Sequence, residues 1–303
     1  MAGKLSAAAG TGGARQITAL CRHLEFFTGH PPLAISPLSN GDLNLNYRVE
    51  TCRGLYVVRR YPASSRLVCR QQELRCQHAA AVAGIAPAPL CLNNHLQVLI
   101  SEFIEGGNAF IFAEQKIPIL ACTLAKLHQL PTQTAVLQPV PYLEQLALHV
   151  RELFIDNDEV LFKTLLAVAE SYQLLANDYV LCHMDLHAGN MLWKDNALWL
   201  LDFEYAQLAD SCLDLAAVSL NFQLSDEAEE LLLTAYRQQR ATGTVSSEQL
   251  KAKLLLAKIV FSGFCWLWYL SLQSSLAACG EKARFWQKQL IQQLELQTTQ
   301  TLC

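Results

Sequence analysis

The chain has 303 residues, of which 52% are hydrophobic and 17% charged, with a formal net charge of −4. That balance describes a globular chain long enough to bury a large core, and it excludes a disordered polymer. With no basic stripe, nucleic acid is excluded as a partner, and the slight acidic excess suits a small cationic molecule.

Eleven cysteines are scattered along the chain with no Cys-x-x-Cys pair. An odd, dispersed set reads as free thiols in a reducing compartment, so the expected location is the cytoplasm. Met1 to Gly13 is rich in Ala and Gly and lacks the apolar core of a signal peptide.

Gln16 to Thr28 has helical apolar spacing at Ile17, Leu20, Leu24 and Phe27. Pro31, Pro32 and Pro37 mark a loop. Leu38 to Thr51 reads as strand, turn and strand around Gly41-Asp42, and Leu55 to Arg59 as an apolar strand. Arg66 to Ala83 is helical by periodicity, and Leu96 to Ile104 reads as a further strand. After Gly107 the pattern changes to helices: Ile117–Leu130, Tyr142–Asn157 and Glu159–Ala176, with a loop over Pro131–Pro141. Beyond residue 210, Asp214–Leu224, Asp226–Thr242, Ser246–Leu276 and Glu281–Thr298 read as helices, and Ser246 to Gln249 spells a capping box. Leu254–Leu272 is apolar over roughly the length of a membrane span. Lys258, Ser262 and Gly263 interrupt it, so a buried core helix is expected and no stable membrane insertion. The division that follows is a β-rich part over 14–103 and an α-rich part over 104–303, an α+β fold of two lobes with a nucleotide expected in the cleft between them. Oligomeric state is not legible.

The chemistry is concentrated in His183-Met184-Asp185-Leu186-His187-Ala188-Gly189-Asn190, followed by Leu200-Leu201-Asp202-Phe203-Glu204. The pattern H-x-D-x-x-x-x-N with a later Asp ending an apolar run is the layout of a phosphoryl-transfer site. Asp185 can accept the proton of an attacking hydroxyl. Asn190 and Asp202 are hard oxygen ligands suited to Mg²⁺ on nucleotide phosphates. Protein kinases carry Arg where this chain has Met184 and Gly where it has Glu204, and no A-P-E follows.

With Tyr205-Ala206 and Asp214-Leu215-Ala216, the stretch 181–218 resembles the superfamily of choline kinases, thiamine kinases and aminoglycoside phosphotransferases. H-M-D-x-H-A-G-N looks most like bacterial thiamine kinase; D-F-E-Y is similar to choline and ethanolamine kinases. The resemblance implies a bilobal protein-kinase-like fold and an ATP- and Mg²⁺-dependent phosphotransferase with an alcohol as acceptor. Thiamine is the favoured substrate, then choline or ethanolamine, then an aminoglycoside or sugar. A nucleotide-binding pseudokinase is the rival from another class.

The same resemblance distributes further roles. Ser39 to Val49 resembles the phosphate-covering hairpin, with Asn44 and Asn46 as candidates. Arg59, in V-V-R-R-Y, stands where the superfamily has the basic residue facing the α- and β-phosphates, and Glu73 is its expected helix partner. Glu102 to Ile104 is the expected hinge, reading adenine through backbone groups. Asp214 is the expected brace of the catalytic loop, while Asn221 stands where choline kinases have an acid. His187 and Glu204 are placed near substrate or phosphate. Trp266 and Tyr269, followed by Gln273, resemble the W-x-x-W-x-x-x-Q of choline kinases. Their faces suit a cation, although aromatic residues at helical spacing are equally compatible with core.

Overall fold

The computed structural model describes residues 17–38, 45–61, 68–240, 247–273 and 277–302. The strands are β1 (Ala34–Pro37), β2 (Leu45–Thr51), β3 (Gly54–Arg60), β4 (Pro89–Asn93), β5 (Val98–Glu102), β6 (Asn108–Ala109), β7 (Tyr179–Cys182), β8 (Met191–Lys194), β9 (Ala197–Leu200) and β10 (Gln207–Asp210). The helices are α1 (17–23), α2 (Arg70–Val82), α3 (Ile117–Leu127), α4 (Pro139–Leu148), α5 (Asp158–Gln173), α6 (Cys212–Asn221), α7 (Asp226–Gln239), α8 (Ser247–Leu272) and α9 (Ala277–Leu302). The fold is α+β, and the chain divides into two compact units.

The first unit runs to Phe110 and takes in Leu192–Glu204. Its antiparallel sheet has the order β1-β2-β3-β5-β4. In β2 the side chains alternate between faces. Tyr47 and Val49 turn into a core with Val58, Val98 and Ile100, with Ile17 and Cys21 of α1, and with Leu24 and Phe27 just after it. Each fully buried Leu, Ile or Phe there contributes ~1.5–3 kcal/mol. The same alternation leaves Asn46 and Arg59, paired in register, together on the opposite face. The β8–β9 hairpin joins this unit because β8 pairs with β6, Asn108 opposite Trp193. A linear division at residue 103 does not contain that return of the chain.

Several elements differ from the sequence expectation. Strand β1 forms inside the Pro-rich stretch expected as a loop; Pro37 is tolerated because it ends an edge strand, where a missing donor costs little. Strand β4, absent from the expectation, forms by pairing along β5. Helix α2 starts at Arg70 rather than Arg66, and residues 62–67 lie outside the described residues. The Gly41-Asp42 turn, Asn44 and the Ser246 capping position also lie outside them.

The second unit comprises Ile111–Met191 and Tyr205 onward. Here α8 packs against α4, α5, α6 and α9. Gly263 permits the close approach of α5: a Cβ at that position would stand 2.8 Å from Leu165 Cδ1. By length and composition α8 could cross a membrane, but 67% of its most apolar window is buried inside the protein. Its Lys253 ammonium is buried on Asp210, a carboxylate that also accepts Tyr172 Oη at 2.8 Å and the Asp178 N–H at 2.9 Å. Helix α4 begins three residues earlier than expected, with Pro139 in its first turn, and it ends at Leu148. Strand β7 pairs with β10, Cys182 opposite Gln207, and delivers the chain to His183.

Candidate active site

In the second unit, the loop after β7 is held from below by Asp214 on α6. The fully buried Asp214 carboxylate accepts the His183 N–H at 2.7 Å and the Met184 N–H at 2.9 Å. Its Oδ2 also lies 3.1 Å from His128 Nε2, and His128 Nδ1 lies 2.6 Å from the Tyr236 hydroxyl. Two backbone donors that would otherwise be buried without partners are thereby satisfied by a charged acceptor. Met184 occupies the left-handed region (φ 67°), and its N–H is one of those held. Such a conformation persists where the surroundings over-determine it.

The loop's exposed side carries the polar groups. Asn190 Nδ2 donates to the Asp185 carboxylate at 2.7 Å and to the Asp185 carbonyl at 3.0 Å. Both hydrogen bonds of the carboxamide nitrogen go to Asp185. His187 Nε2 stands 3.6 Å from Asp185 Oδ1, while its Nδ1 accepts the Gly189 N–H at 3.0 Å. Asn221, at the end of α6, donates to the Leu186 carbonyl at 3.2 Å and braces the loop between Asp185 and His187.

In the first unit, Arg59 collects three of the residues singled out from sequence. Its Nε donates to Asn46 Oδ1 at 3.1 Å, its Nη1 to Glu73 Oε1 at 3.2 Å, and the same Nη1 to Asp202 Oδ1. Burial pulls the Arg59 pKa down, but the Asp202 and Glu73 carboxylates outweigh it and hold the guanidinium above its ordinary value. Burial, opposed chiefly by Arg59, pushes the Glu73 carboxyl up. Asp202 sits in the left-handed region (φ 64°) at the end of the β8–β9 hairpin. Glu204 is held by Arg70 at 3.2 Å, and Arg70 also reaches Glu73. The oxygen donors at Asp202 and Asn190 are of the hard type that Mg²⁺ prefers. Asp202 is paired with the Arg59 guanidinium.

The segment Glu102 to Ile104, expected as the hinge, is tied to its neighbours by hydrogen bonds. The Glu102 N–H is taken by the Ala88 carbonyl at 2.9 Å, and the Ala88 N–H goes to the Glu102 carboxylate at 3.1 Å rather than to its carbonyl. The Phe103 N–H is used by Leu55 in the sheet, at 3.3 Å.

The aromatic pair divides. Trp266 is 2% exposed and stacks on Phe154 at 5.4 Å. It belongs to the core, with its ring face covered by Phe154. Tyr269 is half-buried, with Trp268 edge-on at 4.8 Å; Tyr205 meets Trp268 at 6.1 Å. The Lys282 ammonium lies 5.1 Å from the Tyr269 ring centroid, so that ring already faces a cation. Asp185 acts electrostatically on Cys265 and Tyr142, which places this part of α8 and α4 near the catalytic loop. Sequence reasoning did not find Arg70, His128 or Tyr236. The only signal for Arg70 was its place three residues before Glu73; His128 and Tyr236 carried none.

Comparison with known proteins follows the same lines. The model of the phosphotransferase enzyme family (APH) matches residues 34–249. A choline/ethanolamine kinase family protein from Mesorhizobium loti superposes with a TM-score of 0.76 at 16% identity, covering 93% of this chain and 94% of that one. Choline kinase LicA from Streptococcus pneumoniae gives 0.74 at 20% identity, covering 94% and 99%. A spectinomycin phosphotransferase gives 0.61 at 14% identity, covering 92% and 93%. Protein LicA of Haemophilus influenzae is 38% identical over 72 residues, a stretch that is 23% of this chain and only 21% of that protein. The likeness in structure is one of fold, while the family match spans most of the chain. This chain belongs to the phosphotransferase enzyme family (APH).

Proposed function

We propose that the protein transfers the γ-phosphoryl group of ATP to the hydroxyl of a small cationic alcohol of the choline or ethanolamine type. The observation that carries the reading is the catalytic loop, with Asp185 fixed by Asn190 and the loop backbone fixed by Asp214. In this reading Asp185 orients the acceptor hydroxyl and takes its proton. Asn190 and Asp202 are the ligands for Mg²⁺. When bound, the ion neutralises charge on the phosphate oxygens. Arg59, steered by Glu73 and Asn46, faces the α- and β-phosphates, while the Glu102 carbonyl and the Ile104 N–H read the adenine edge. Asn44 is assigned to phosphate by its motif alone. His187, beside Asp185, contacts the acceptor or its phosphate.

The choline-type acceptor is supported by similarity to proteins described as choline kinases, one of them also solved with AMP. It is supported as well by Tyr205 and Trp268, rings that suit a quaternary ammonium, while the Tyr269 ring is taken by Lys282. Trp266 has no part in that surface. Thiamine is the second reading, favoured by H-M-D-x-H-A-G-N and by Asn221 in place of an acid.

The test is ADP release over choline, ethanolamine, thiamine, hydroxyethylthiazole and aminoglycosides, with the phosphorylated product identified by mass. Turnover on choline or ethanolamine, reduced about 10²–10⁴-fold by Asp185→Asn, is expected. Full turnover in Asp185→Asn would remove the assigned base. Phosphorylation of thiamine in preference to choline would establish the second reading.

A further inference from the structure

Arg70, the first residue of α2, has no part in the chemistry described above, yet its side chain is only 9% exposed. Its Nη1 donates to Glu73 Oε2 and to Glu204 Oε2, each at 3.2 Å. Its guanidinium lies over the Tyr61 ring, Cζ 3.5 Å from the centroid, a stacking geometry available to arginine and not to lysine. The surrounding groups are two cations, Arg59 and Arg70, and three carboxylates, Glu73, Asp202 and Glu204, all with side chains 14% exposed or less. Like charges so close and so dry repel strongly unless each has its own partner. Asp202 has Arg59, Glu204 has Arg70, and Glu73 is shared between the two.

Glu204 also acts electrostatically on Arg59. A Glu204 without its own cation would therefore compete for the guanidinium that Asp202 and the phosphates need. It would also add an unbalanced negative charge two residues from Asp202. Arg70 answers both problems from one position, and it ties α2 to the segment that carries Asp202.

We propose that Arg70 is a positioning residue: it holds Glu204 away from Arg59 and clamps α2 to the Asp202 segment, leaving Arg59 and Asp202 for the nucleotide. The inference rests on the kinase reading of Asp202 and Arg59. It assigns Arg70 to nucleotide and metal affinity, not to the acceptor alcohol.

Binding of Mn²⁺·ATP followed by electron paramagnetic resonance tests it, together with steady-state kinetics on the best acceptor. Arg70→Gln is expected to weaken Mn²⁺·ATP binding about tenfold, the size of coupling found within one ion-pair network. Its KM for the alcohol stays unchanged. Arg70→Lys, which keeps the charge but loses the planar stack, is expected to lose roughly threefold, and it serves as the reading if Arg70→Gln does not fold. Arg70→Gln/Glu204→Gln is expected to bind more tightly than Arg70→Gln alone, because the competing carboxylate is gone. The proposal is overturned if both single variants bind as the wild type does, if the double variant binds no better than Arg70→Gln, or if the alcohol KM moves with the nucleotide affinity. Wild-type protein that binds no Mn²⁺·ATP would instead overturn the reading of Asp202 itself.

Discussion

Replacing Asp214 by Asn probes the link between fold and chemistry most directly. The wild-type carboxylate accepts from the His183 N–H, the Met184 N–H and His128. An Asn carboxamide keeps one oxygen, so at most one backbone donor remains well served, and its NH₂ group faces another donor. Two charge-assisted bonds are lost, each worth ~1.5–3 kcal/mol, so a local destabilisation of about 3–6 kcal/mol is expected. That is comparable to the whole stability of a typical domain, so the loop opens before the unit does. Native-state hydrogen exchange should show the His183 and Met184 amides protected in the wild type and released in Asp214→Asn. Turnover should fall by about 10²-fold, because a displacement of Asp185 near 1 Å is enough to cost that much. If the two amides stay protected and turnover holds, Asp214 is not what shapes the loop.

Other perturbations follow from the same structure. Gly263→Ala would drive a methyl into Leu165, and with both helices packed it should destabilise by roughly 1–3 kcal/mol in urea denaturation. Arg59→Met leaves Glu73 and Asp202 without their shared cation; a loss of about 3–5 kcal/mol is expected, together with loss of ATP binding by calorimetry. Burial pushes the Cys21 and Cys76 thiols up to about 11 from 9.0. A raised folded pKa gives stability that is complete below pH 9 and drains away as pH rises through 11, so chemical denaturation midpoints should fall over that window. Alkylation at pH 8 with peptide mapping should mark the exposed Cys52 and Cys69 and spare Cys21 and Cys76 until the chain unfolds.

Much of the site was legible because its signals are local. The loop proposed as catalytic packs Asp185 and Asn190 within six residues, and the Asn190 carboxamide does donate to the Asp185 carboxylate. The pairing of Arg59 with Asn46 follows from strand register, and Glu73 lies one helical turn into the next element. Strand β4 was not legible, since Pro89-Leu90-Cys91 has no pattern until β5 lies beside it. Trp266 and Tyr269 share a helix and a spacing, yet one is sealed in core and the other half-exposed, a difference made by which neighbours arrive.

The order of chemical groups along this chain, from which the proposed roles were read, was set by residue type and spacing: an acid, a carboxamide, a second acid and a guanidinium. Those requirements are short-range, and a linear string expresses them. Apart from Glu73 with Arg59, which carboxylate each cation serves was decided only by folding. Arg70 and Glu204 are 134 positions apart, and His128 and Asp214 are 86 apart. Such pairings depend on where the backbone returns and on how little water is left there, and neither quantity is written in the neighbours of a residue.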